Sequence, residues 1–157
     1  MSSIKMEENS PYHISNRTIQ VIDVIEAWYL KFHIASVIKH IARADQSSCE
    51  REELEKALWY LNRFINIPVD EEKDYQFYPT YPLETPMSDD SEFVYIPKKF
   101  TVEEISKDWK LDKDLKKALN SLYENALLPS NASLKEAGEY IKNKIRNLTL
   151  NQQNKGN

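Results

Sequence analysis

Glycine is almost missing from this chain. Of 157 residues only Gly138 and Gly156 are glycine, and neither stands at a strand-to-helix turn. A Walker phosphate loop and a dinucleotide fingerprint need glycines so that backbone can approach phosphate, and the G-x-S-x-G elbow needs them around its nucleophile. All three are excluded. Phosphate, if bound, must be held by side chains or helix N-termini. Cysteine is as scarce: Cys49 stands alone, which rules out a disulfide framework and a Cys-based zinc site. No apolar run approaches the roughly 20 residues of a membrane span, and the polar start, residues 1–10, has no apolar leader core. These absences set the expectation of a cytoplasmic protein with no membrane partner. An excess of positive charge is lacking too. The net charge is −4 and the pI about 5.5, without the basic footprint of a duplex-DNA binder.

What the chain does contain is a duplication. Val21, Trp28 and Leu30 meet Val102, Trp109 and Leu111, each 81 residues on, and Ile34, Val37 and Ile38 meet Leu115, Ala118 and Leu119. After one deletion the offset is 80, and Leu54, Ala57, Tyr60 and Leu61 meet Leu134, Ala137, Tyr140 and Ile141. Such self-similarity marks a repeated structural unit. Residues common to both copies read as scaffold; residues special to the first copy are where chemistry is sought.

Apolar spacing in both copies is helical. In the first unit, 13–65, it predicts helices over Thr18–Tyr29, Phe32–Ala44 and Glu50–Ile65. In the second unit, 100–148, a T-x-x-E capping box at Thr101/Glu104 opens the first helix. Asp112 caps the middle helix, Pro129 ends it, and a second box at Ser133/Glu136 opens a last helix over Leu134–Leu148. Residues 1–12 and the Asn/Gln-rich tail 149–157 read as disordered. Between the units, 66–99 is acidic and rich in proline and tyrosine. Its stretch 66–92 holds eight acids against Lys73 alone, and Phe93–Ile96 reads as a short strand. The expected fold is all-α: two tandem three-helix units packed together as an intrachain pseudo-dimer and joined by this segment. A unit of that size is marginal alone and needs its twin.

From His13 to Ile65 the chain resembles the SaV-like family of small helical proteins from phages and bacteria. The resemblance rests on His13, on Ile19, Ile22, Asp23 and Ile25, and on Leu30 and Phe32. Lys39, Arg43 and Ala44 match the middle helix; Leu54, Lys56, Ala57, Tyr60 and Leu61 match the last. Tyr29 stands where the family pattern has Gly, Ser36 where it has Asn, and His40 where it has Tyr. One phage member of that family is a nucleotide kinase that phosphorylates deoxynucleoside monophosphates without a Walker loop, so the resemblance implies nucleotide binding.

The residues themselves point to one stripe. Ser36, Lys39, His40 and Arg43 follow i, i+3, i+4, i+7 spacing and share a helix face. Lys56 on the next helix can join them on an anion, since Arg offers phosphate a planar fork of donors and Lys a point charge. The positions 81 on are Lys117, Asn120, Ser121 and Glu124, so the second copy keeps its apolar face and loses the Arg. The bland alternative is a solvated charged face. His13 joins the candidates through the resemblance. His13, His33 and His40 lack metal-ligand spacing. Asp23 and Glu26, three apart, are the weak candidates for Mg²⁺, the one cofactor expected if a nucleotide binds; helix-to-helix ion pairing is the competing reading. The functional expectation is a nucleotide or other small anionic ligand, with phosphoryl transfer as its catalytic extension. The alternative is a non-enzymatic interaction or scaffold protein that uses the acidic aromatic segment and Trp59.

Overall fold

Helices make up all the regular structure in the described part of the chain, residues 13–67 and 100–155 of a computed structural model. The chain runs through α1 (Val21–Ala27), α2 (Phe32–Arg43), a 3-10 turn (Ala44–Gln46) and α3 (Glu50–Ile65). It then runs through α4 (Val102–Asp108), α5 (Lys113–Leu127) and α6 (Asn131–Lys155). The all-α expectation holds. The expected N-terminal segment 1–12, the strand at Phe93–Ile96 and the acidic segment beyond Ile67 lie outside the described residues.

Side-chain caps mark the starts of α1, α4 and α5. Gln20 and Asp23 form a reciprocal box at the start of α1, and Thr101 and Glu104 form one at the start of α4. Asp112 Oδ1 accepts from Leu115 N at 3.0 Å, as its position before α5 predicts. α1 is shorter than expected at both ends. It stops at Ala27 because Tyr29 takes a left-handed φ of 50°. Leu30 N then donates to Ile25 O and Tyr29 N to Glu26 O, the two bonds of a Schellman ending. Lys110, with φ 53°, ends α4 through the same bonds, from Leu111 N to Ser106 O and from Lys110 N to Lys107 O.

α6 departs from expectation in both directions. It begins at Asn131, so Ser133 lies inside it, and the start is held by Ser130 Oγ, which accepts from Ser133 N at 3.2 Å. The expected Ser133/Glu136 box does not form. The helix also continues past Leu148 to Lys155, since no proline or glycine interrupts the chain before Gly156. Extending a formed helix adds about one hydrogen bond per residue fixed.

One core draws on both halves. Val21, Ile38, Leu54 and Leu61 belong to the same buried cluster as Ile105, Trp109, Leu119, Leu122 and Ile141. α2 packs on α3, α5 on α6, and α3 on α6. Where α3 meets α6, Gly138 faces Leu61: a Cβ there would lie 3.4 Å from Leu61 Cδ2, an ordinary contact. Two indole hydrogen bonds cross between the halves in reciprocal fashion. Trp28 Nε1 donates to Phe100 O at 3.1 Å, and Trp109 Nε1 donates to Ile19 O at 2.7 Å.

Candidate functional site

α2 and α3 lie side by side and turn their polar positions toward one another. Within the α2 stripe the side chains divide by depth. Ser36 and His40 are buried against α3, while Lys39 and Arg43 sit at intermediate exposure. His40 Nδ1 meets Glu53 Oε2 at 2.8 Å, with less than a tenth of either side chain exposed. The other carboxylate oxygen receives Lys56 Nζ at 3.4 Å. Tyr60, two turns along α3 from Glu53, stacks on the His40 ring with centroids 5.6 Å apart and planes at 17°.

Electrostatics fix how the pair is charged. Burial lowers the pKa of His40, and the Lys39 and Lys56 charges lower it further; the Glu53 hydrogen bond and charge pull it up by less. Burial would raise the Glu53 carboxyl, but His40 and Lys56 together outweigh it and hold it low. The consistent state at neutral pH is therefore an ionised Glu53 accepting Nδ1–H from a neutral His40. The tautomer follows from that bond and leaves a lone pair on Nε2. Such a ring can accept a proton from a bound molecule, and its flanking ammonium groups favour an anion beside it.

Beyond this pair lies an aromatic rim. Phe32 and Trp59 both contact Tyr60 edge-on, at 6.1 and 5.0 Å, and are 67% and 59% exposed. His33 lies against Phe64, its pKa lowered by burial and by Arg63. Exposed rings beside cations give a surface that can stack a planar group and bind its charge.

Of the residues the sequence nominates, Lys39, His40 and Lys56 converge, Ser36 is buried one turn before His40, and Arg43 is one turn beyond Lys39. No hydrogen bond, ion pair or ring contact among the described residues joins His13, Asp23 or Glu26 to this group. Asp23 Oδ2 is occupied in capping α1, accepting from Gln20 N at 2.9 Å. No three His, Cys, Asp or Glu side chains gather as a metal site among the described residues. Glu53 and Tyr60 were not nominated as site residues. The signal for Glu53 is its register: it stands four residues before Ala57 on the stripe that runs to Leu61, where an acid must find a partner.

Among the described residues no helix is long and apolar enough to cross a membrane. The model of a family described as a protein of unknown function, DUF3310, matches residues 8–62. That span holds α1, α2 and most of α3, and with them Lys39, His40, Glu53, Lys56 and Tyr60. No curated protein and no solved structure matches the chain.

Proposed function

We propose that the α2–α3 face binds a small phosphorylated aromatic ligand, a nucleotide, with Lys39 and Lys56 on its phosphate and Arg43 extending the same charge. The observation that carries this reading is the convergence of Lys39 and Lys56 on a neutral, buried His40 beside the exposed rings of Phe32 and Trp59. The SaV-like resemblance of 13–65 adds deoxynucleoside monophosphates as the first ligands to try. Phosphoryl transfer would use His40 Nε2 as proton acceptor and would bring Mg²⁺ with the nucleotide. Asp23 is engaged in a cap, and no contact among the described residues joins it or Glu26 to this face, so neither is assigned that Mg²⁺.

Thermal shift with deoxynucleoside mono- and triphosphates, with and without Mg²⁺, tests the proposal. Ligand at 100 times its Kd should add about 2.7 kcal/mol of stability. The Lys39→Ala/Lys56→Ala pair should reduce the shift. An equal shift in native protein and in that variant removes the reading from this face.

Trp59 and Phe32 also favour a second reading, an interaction protein that buries these rings against a partner. In that case Trp59→Ala abolishes association and leaves any nucleotide shift unchanged. For architecture, we infer an intrachain pseudo-dimer of two three-helix units. The recurrence of caps, left-handed residues and indole bonds at an offset of 81 supports it.

A further inference from the structure

Tyr60 and Tyr140 are repeat equivalents, 80 residues apart, but only one of them carries a stacked ring. In the first half the His40 imidazole covers Tyr60. The position 81 residues after His40 is Ser121, buried and ringless. Where the ring would lie, the second half has a groove of about 710 Å³ bordered by Ser121, Asn120 and Tyr140. That volume falls in the range of small-molecule sites, roughly 300–1,000 Å³.

The charges along the groove are placed against the helix that bears them. Lys113, Lys116 and Lys117 line it from the first two turns of α5, where the helix dipole disfavours cations. Glu103 pairs with Lys116. Lys117 Nζ rests 5.6 Å from the centre of the Tyr140 ring, and Lys113 has no carboxylate partner among the described residues. An anion in the groove would relieve both the dipole and the mutual repulsion of these ammonium groups. Three acids also line the groove, and each is already engaged: Glu103 by Lys116, Glu124 by Asn120 Nδ2 at 3.1 Å and Glu136 by Tyr140 OH at 3.2 Å.

We propose that this groove is a second ligand site, for a small anion that carries a flat ring. The ring stacks on Tyr140 as His40 stacks on Tyr60, and the anionic group reaches Lys113 and Lys117. The site rests on the repeat register and is independent of the α2–α3 face. Nucleoside monophosphates and aromatic carboxylates share this chemistry, so the test separates them. The full chain is titrated with adenosine 5′-monophosphate, benzoate, adenosine and inorganic phosphate, followed by calorimetry and by amide chemical shifts of α5. A ringed anion should saturate the groove, with adenosine and inorganic phosphate about tenfold weaker or worse. Ser121→His fills the groove with the ring the first half already has and should block binding. Lys113→Ala/Lys117→Ala, on the surface, should weaken binding about tenfold with the fold intact. Lys39→Ala/Lys56→Ala should leave it unchanged. Three results overturn the proposal: inorganic phosphate binding as tightly as the ringed anions, no change in the Lys113/Lys117 variant, or loss of binding in the Lys39/Lys56 variant.

Discussion

At the scale of single residues, the His40–Glu53 contact concentrates the energetic risk. Both side chains are buried, and breaking such a pair from one side leaves the other uncompensated. His40→Leu is expected to cost about 3 kcal/mol, and adding Glu53→Leu to recover most of it, because an apolar pair leaves no stranded charge. Urea unfolding of the two singles and the double measures this coupling; additive losses would mean that the pair is not a unit. The same pair sets a pH dependence. Both folded pKa values lie below their unfolded values, so the unfolded chain binds protons first as pH falls. Stability should be full above the unfolded His value near 6.5, decline below it as His40 is charged, and decline again below the unfolded Glu value near 4.5. A Tm series from pH 8 to 4 checks this, and the step below 6.5 should shrink in His40→Leu. The α2 side of the site was legible from the spacing of Ser36, Lys39, His40 and Arg43. Glu53 was not, because an acid in the first turn of a helix also satisfies the dipole and reads as surface.

At the scale of elements, the shortage of glycine leaves its mark on the helix ends. Two Schellman endings place Tyr29 and Lys110 in the left-handed region, where a Cβ costs roughly 1–2 kcal/mol. Lys110 is exposed, so Lys110→Gly should raise stability by about 1 kcal/mol, readable as a higher urea midpoint at unchanged slope. One turn earlier, Ser106 Oγ is buried without a hydrogen-bond partner among the described residues, 81 residues after Ile25. Ser106→Ala should be neutral or stabilising by about 1 kcal/mol, since it removes a desolvated hydroxyl; a loss of that size would show a partner for the hydroxyl. Interior helix segments were legible from apolar spacing, and α3 matched its predicted bounds. The ends of α1 and α6 were not. A left-handed Tyr has no sequence signature, and at α6 the Ser133/Glu136 pair reads as the start although Ser130, three residues earlier, serves.

At the scale of the whole molecule, the proposed pseudo-dimer makes a claim about cooperativity. The indoles of Trp28 and Trp109 are 2% and 1% exposed, and each hands its N–H to a backbone carbonyl of the other half. Removing either donor strands a buried carbonyl and trims the shared core. Trp28→Phe and Trp109→Phe should therefore each cost about 1–3 kcal/mol. The Arg17 guanidinium, 5.4 Å from the Trp109 ring centre, belongs to the first half as well, so Trp109→Phe weakens a second contact across the boundary. If the halves share one core, either substitution lowers a single transition. Helix content by circular dichroism and the fluorescence of the remaining tryptophans should then fall at the same urea concentration. If the halves were independent three-helix domains, Trp109→Phe would melt α4–α6 early and leave α1–α3 standing. Two separated transitions in that variant would refute the pseudo-dimer, and with it the register on which the Tyr140 groove depends.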